Sequence, residues 1–278
     1  MLGAAVGTGI QLEVLPGRSS AYRRLGLDGG EGTAPDVAPA TVEWSTFRSR
    51  ARGRRVGWAL ARPATAAGVL PVVVALHGRG QDHTTAFRRT RLALDRFLTD
   101  AVDRGVPPFA IASIDGDESY WHDRDNGDRA GTMVVEELLP LVAERGVDTT
   151  RVALTGWSMG GFGALHLART LGPERVAAVA AMSPALWHRY DDTAPGAYDD
   201  AADFERVTVM GRQSDLDGIA VRVDCGKGDP FFSACRDYVE GFERRPAGRL
   251  QLGDHDSGYW RRIAPGVLRF LGEALARG

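Results

Sequence analysis

Lysine is almost absent. Lys227 stands alone among 34 basic residues, so nearly every positive charge is an arginine, and the arginines are scattered. Against 36 acidic residues the formal charge is −2, with no dense basic run. A near-neutral chain without a basic stripe lacks the electrostatic footprint of a nucleic-acid or anionic-membrane binder. No apolar run reaches the roughly 18 residues that a membrane-spanning helix needs. Cysteine is equally scarce. Cys225 and Cys235 form no CxxC and no Cys/His ligand pattern, which argues against a zinc site. Ten positions apart, they form either a disulfide in an oxidising compartment or a pair of buried reduced thiols. There is no internal repeat and no low-complexity tract.

What is present fits one large α/β domain preceded by an arm. A chain of 278 residues buries enough surface to fold without a metal or disulfide staple. Residues 1–41 read as an N-terminal arm or linker, with Gly29, Gly30, Gly32, Pro35 and Pro39 in its second half. Met1 to Leu15 is mildly apolar, is interrupted by Glu13 and carries no basic n-region. It is either the remnant of an export signal, which implies export or a cell-envelope location, or the frayed end of a cytoplasmic protein. Residues 42–278 then read as the catalytic domain.

Within that domain strands and helices alternate. Thr41 to Phe47 and Arg55 to Leu60 read as an antiparallel opening pair. Leu70 to Leu76 (LPVVVAL) is a continuous β-branched apolar run, the pattern of a strand buried on both faces. Leu94, Phe97, Leu98 and Ala101 fall on one helical stripe. Further strands are expected over 109–114, 151–155, 176–182, 219–223 and 249–252. Helices are expected over 133–144 (kinked at Pro140), 160–170, 232–242 and near Val267 to Ala274. This order predicts an α/β fold with a mostly parallel central sheet and helices on both faces.

The strongest chemical signal is Gly156-Trp157-Ser158-Met159-Gly160-Gly161. It lies between an apolar strand and a glycine-opened helix, the setting of a nucleophile elbow. The chain must reverse sharply at the serine, and flanking glycines remove the Cβ atoms that would collide. A serine nucleophile needs a base, and a histidine base needs an orienting carboxylate. On a fold of this kind the chain order is serine, acid, histidine. Only His255, in the loop Gly253-Asp254-His255-Asp256-Ser257-Gly258, follows a late strand. No second histidine shares its loop, so metal ligation is not expected there, and no cofactor is expected. Two carboxylates lie after the preceding strand. Asp224 continues the strand and reads as a turn-ordering residue, whereas Asp229 sits out in the loop and is the favoured acid. The Met159 amide, together with that of Arg79 in Leu76-His77-Gly78-Arg79-Gly80-Gln81, reads as an oxyanion hole. The Arg79 side chain either meets an anionic substrate group or faces solvent.

The loops LHGRG, GWSMGGFGALHLA, DCGKGDPF and GDHDSGYW together resemble the Putative esterase branch of the α/β-hydrolase superfamily. That branch includes the esterase D and S-formylglutathione hydrolase type and the antigen 85 mycolyltransferase type. The likeness spans roughly Val42 to Leu275 and is greatest to uncharacterised actinobacterial esterases. It implies a metal-free acyl-enzyme mechanism with Ser158, Asp229 and His255 as triad. It does not name a substrate.

Other residues read less sharply. Tyr120, Trp121 and His122 follow a strand end and either line a substrate pocket or anchor their loop; Trp157 and Trp260 read more readily as core than as pocket, with Trp157 kept as a further candidate lining residue. Asp123, Asp125 and Asp128 lack the glutamate of a calcium loop and read as a solvated face. The polar stretch from Ser183 to Gly218 predicts no large apolar lid, which favours small or water-soluble esters. The expected activity is that of a serine carboxylic-ester hydrolase acting on a small-molecule ester. An acyltransferase and a catalytically silent binding or envelope protein stand as the alternatives.

Overall fold

The computed structural model describes residues 29–277 apart from positions 65 and 67, together with Gly26. The segment Met1 to Leu15, with its two readings, lies outside the described residues.

Eight strands make one sheet: β1 (Thr41–Ser49), β2 (Arg54–Arg62), β3 (Leu70–Leu76), β4 (Ala110–Ile114), β5 (Val147–Trp157), β6 (Val176–Met182), β7 (Ala220–Gly226) and β8 (Leu250–Gln251). Their spatial order is β1-β2-β4-β3-β5-β6-β7-β8. The first two ladders are antiparallel and the others parallel. The β-branched run of β3 therefore sits between two parallel neighbours, where Val72, Val73 and Val74 are wholly buried. The chain leaves β3 toward β4 on one side and leaves β5 toward β6 on the other. Their carboxyl ends flank a crevice at this switch in direction, the usual place for a ligand in an open α/β sheet.

Helices cover both faces. On one side α1 (Leu94–Asp103) packs with the closing helix, which spans Ser257–Leu275. The other face carries α2, built from Ala130–Thr132, a π-helical stretch Met133–Leu138 and Leu139–Ala143. With it pack α3 (Met159–Leu171), α4 (Ala201–Val207) and α5 (Phe232–Glu240); the closing helix is α6. Proline was expected to kink α2 at position 140. The irregularity instead precedes it: Leu139 N–H reaches back to the Val134 carbonyl, a widened turn. Proline has no N–H to give the preceding turn, and the helix absorbs the loss as a π-bulge.

The described part of the arm is not a loose linker. Gly32 N–H donates to the Gly258 carbonyl at 2.8 Å, and Arg261 Nε donates back to the Gly32 carbonyl at 2.7 Å. A Cβ at Gly32 would stand 2.1 Å from the Arg262 nitrogen, so only glycine allows this approach to α6. Asp128 is not part of a solvated face. It takes Arg52 Nε and Nη2 at 2.6 and 2.7 Å, and the Arg52 side chain is fully buried. Cys225 and Cys235 are both buried thiols whose sulfurs face the carbonyls of Gly226 and Pro184 at 3.8 and 3.4 Å. Among the described residues no helix is long and apolar enough to cross a membrane.

Candidate active site

β5 runs into α3 with only Ser158 between them. The serine backbone has φ 57° and ψ −123°, a conformation L-residues rarely adopt. It is held from three sides: Ser158 N–H donates to the Met182 carbonyl at 3.0 Å, and its own carbonyl accepts from Phe162 and Ala185 at 3.1 and 3.0 Å. The turn is tight because strand and helix nearly touch. A Cβ at Gly160 would lie 1.9 Å from the Leu76 carbonyl oxygen, and one at Gly156 would lie 2.2 Å from the Gly160 oxygen. The motif glycines are thus explained by contact with neighbouring backbone.

The loops after β7 and β8 are joined by backbone hydrogen bonds. Lys227 N–H donates to Gln251 at 2.7 Å and Gly228 N–H to Gly253 at 2.8 Å. This carries Asp229 under His255. His255 Nδ1 lies 2.8 Å from Asp229 Oδ2, and His255 Nε2 lies 2.9 Å from Ser158 Oγ. Asp229 is fully buried, and its Oδ1 accepts the Phe231 N–H at 2.8 Å. Burial disfavours the His255 imidazolium. The charge and hydrogen bond of Asp229, with Asp254 and Asp256 nearby, outweigh that effect and hold the ring above the usual histidine value.

Asp224 stands elsewhere. Its carboxylate binds Arg222 Nε and Nη2 at 2.6 and 3.1 Å and accepts the Arg249 N–H at 3.0 Å. It ties β7 to the segment before β8, and burial raises its pKa against the pull of Arg222.

A cleft of about 290 Å³ opens at Ser158 and His255, lined also by Gly78, Arg79, Gln81, Arg91 and Trp260. Gly78 passes close: a Cβ there would be 3.3 Å from Ser158 Cβ. Arg79 therefore lies in the loop beside the serine, and Met159 opens α3 directly after it. The Arg79 side chain edges the cleft and does not simply face solvent. Its Nε donates to Glu118 at 2.8 Å and its Nη2 to the Pro195 carbonyl at 3.3 Å, bridging the loops around the site.

The aromatic residues singled out in the sequence lie deeper. Tyr120, Trp121 and His122 are buried and are not among the residues lining this cleft. Trp121 packs against Gly116 and Gly163, where any Cβ would strike its ring system at 2.5 Å from either side. His122 borders a different hollow beside His166 and Arg206. Trp157 is fully buried, and its indole donates to Gln81 Oε1 at 2.5 Å. Trp260 lines the cleft instead, its ring edge-on to His255 at 5.2 Å. On the far side Phe231 contacts the His255 ring at 5.3 Å, and Trp187 contacts Phe231 at 5.3 Å, beside a groove of about 510 Å³. Trp260 and Phe231 close the GDHDSGYW and DCGKGDPF motifs, but nothing in their spacing marks either as a neighbour of the histidine ring. Among the described residues no group of three His, Cys, Asp or Glu side chains is placed to hold a metal ion.

The sequence profile described as Putative esterase matches residues 49–261, well over half of the chain. The chain belongs to this family. It is a carboxylic-ester hydrolase. No curated protein sequence matches it. Solved structures do. A ferulic acid esterase shares 21% identity, with a TM-score of 0.73 over 85% of this chain and 100% of its own. An S-formylglutathione hydrolase from Agrobacterium tumefaciens shares 18% identity, with a TM-score of 0.70 over 87% and 98%. The enterobactin esterase of Shigella flexneri shares 19% identity, with a TM-score of 0.63 over 88% of this chain and 61% of its own. At these identities the likeness establishes the α/β-hydrolase fold that the family resemblance implies.

Proposed function

We propose that this esterase works through an acyl-enzyme on Ser158, with His255 as base and Asp229 as orienting acid. The observation that carries the reading is the unbroken chain Ser158 Oγ, His255 Nε2, His255 Nδ1, Asp229 Oδ2, with links of 2.9 and 2.8 Å. Ser158 Oγ attacks the ester carbonyl while His255 Nε2 takes its proton. The carbonyl oxygen becomes an oxyanion, met by the amides of Met159 and Arg79. The intermediate collapses, and the departing alkoxide leaves as the alcohol with the proton from His255. Water then repeats the sequence on the acyl-enzyme, releasing the acid and restoring Ser158. On this reading residues 42–278 are the catalytic domain and the partner is a small-molecule ester.

Two features support small or water-soluble esters over lipid interfaces. The connection from Ser183 to Gly218 carries only the short α4 and two 3-10 turns, with no long apolar helix to serve as a lid. The cleft at Ser158 is edged by Arg79, Gln81 and Arg91, all hydrogen-bond donors. A series of p-nitrophenyl esters should show kcat/KM highest for short acyl chains and falling as the chain lengthens. A maximum at long chains would overturn the size preference. The same assay with an added acceptor alcohol should still yield free acid as the main product; predominant transfer to the alcohol would make the enzyme an acyltransferase.

The raised pKa of His255 also fixes the direction of the pH profile. Only the neutral ring acts as base, so kcat/KM should rise with pH, with its acid midpoint above the ordinary histidine value of about 6.5. The stability linkage runs the other way. A ring whose pKa is raised on folding adds stability fully present below the unfolded pKa and lost as pH climbs through the folded value. Activity should therefore increase across the window in which this part of the stability declines. A midpoint at or below the ordinary value would contradict the proposed coupling to Asp229.

A further inference from the structure

We propose that His77 is a positioning residue that aims the Arg79 amide at the reacting carbonyl oxygen. The inference rests on the acyl-enzyme reading above and concerns a buried imidazole outside the Ser158–His255–Asp229 chain. His77 directly follows β3 and is wholly buried. Its Nε2 accepts the Gly116 N–H at 2.8 Å. A ring nitrogen that accepts a backbone N–H carries no proton, so a neutral ring holds its proton on Nδ1. Nδ1 lies 2.8 Å from the Gly78 carbonyl oxygen and donates to it. One nitrogen accepts and the other donates, so both contacts require the neutral Nδ1–H tautomer. Burial lowers the ring's pKa against the pull of that carbonyl and of Asp115, Asp82 and Asp117, which keeps it neutral.

The consequence follows from peptide geometry. The Gly78 carbonyl and the Arg79 N–H belong to one planar group, and no peptide bond among the described residues is cis. In a trans peptide the two point in opposite directions. Holding the carbonyl toward His77 therefore turns the Arg79 N–H away from the core, on a loop that passes within contact of Ser158. Gly78 has no side chain with which to fix that plane, and glycine samples more orientations than any other residue. The restraint comes from the imidazole. The imidazole in turn is held by Trp121, whose indole donates to the His77 carbonyl at 3.1 Å and whose ring meets it edge-on at 5.0 Å. Trp121 thus acts on the site from beneath, through His77 and Gly78.

Three variants of the full chain separate positioning from packing. His77→Asn places an amide N–H near the Nδ1 position and should keep most of the activity. His77→Gln reaches toward Gly116 instead, and His77→Leu fills the volume without hydrogen bonds. The last two should lose on the order of a hundred- to a thousandfold in kcat, as expected for a lost oxyanion donor, with KM nearly unchanged. Their affinity for phenylboronic acid, which adds to the serine as a tetrahedral anion, should fall by the same factor. Fluorophosphonate labelling of Ser158 in the wild type checks the underlying reading separately; without it both readings fall. With it, wild-type kcat in the Gln and Leu variants, or an Asn variant no better than Leu, overturns the role of His77. Nitrogen NMR of the wild type decides the matter if the variants do not fold. A proton on Nδ1 and none on Nε2 is expected, and the opposite tautomer or an imidazolium at working pH overturns the inference.

Discussion

Ser158→Ala should lower kcat by about a millionfold, the loss seen when the nucleophile of another serine hydrolase is removed. The alanine variant keeps every backbone restraint on the elbow. The hydrogen bonds from Ser158 N–H to Met182 and from Phe162 and Ala185 to its carbonyl involve no side-chain atom. The strained backbone at φ 57° costs alanine much what it costs serine, so stability should change by less than about 1 kcal/mol. The measurement pairs turnover of a p-nitrophenyl ester with a denaturant midpoint. A folded variant that retains even a hundredth of the activity, or labelling by a fluorophosphonate at another serine, would remove Ser158 from the mechanism.

The proposal centres on a serine that is legible in the sequence because the elbow is a local device. Strand, serine and glycine-opened helix are consecutive, and Gly156 and Gly160 have their reasons within a few residues or at the end of the adjacent β3. The LPVVVAL run is legible for the same reason, since burial on both faces writes itself into every residue of the strand. The order of serine, acid and histidine along the chain then isolates His255 without any contact being known.

What stayed hidden depends on partners distant in sequence. Trp121 follows a strand end, as a pocket-lining residue would, but Gly116 and Gly163 leave a flat slot into which its ring sinks. Nothing in the sequence pairs Gly163, on α3, with that indole. Asp128 looks solvated beside Asp123 and Asp125 until Arg52, at the turn after β1, closes on it with two hydrogen bonds. Helix α4 was unmarked because it has only seven residues, too short for a periodic stripe. Its one local signal was Asp200, whose side chain accepts the Asp203 N–H and caps the first turn.

The choice between the two carboxylates gives the second large effect, with Asp229→Asn expected to lose about ten-thousandfold in kcat. Asp229 Oδ1 is already occupied by the Phe231 N–H at 2.8 Å. An asparagine at this position keeps its carbonyl oxygen on that amide, which leaves its NH₂ where Oδ2 faces His255 Nδ1. Two donors then meet. The ring relieves the clash by moving its proton to Nε2, so that Nδ1 accepts. In that tautomer Nε2–H donates to Ser158 Oγ and has no lone pair to receive the serine proton. The corresponding change in a serine protease costs about this factor for the same reason. The fold should be unaffected, since volume and the Phe231 hydrogen bond are retained. Asp224→Asn should give the opposite result. Its oxygen can keep the Arg249 N–H, but its NH₂ would face Arg222 Nε, leaving a charge-assisted pair broken in a buried place. The expected loss is about 1–3 kcal/mol of stability with kcat near wild type. Thermal midpoints and single-substrate kinetics on the two variants decide between them. An inactive, stable Asp224→Asn beside a nearly wild-type Asp229→Asn would reverse the assignment of the acid.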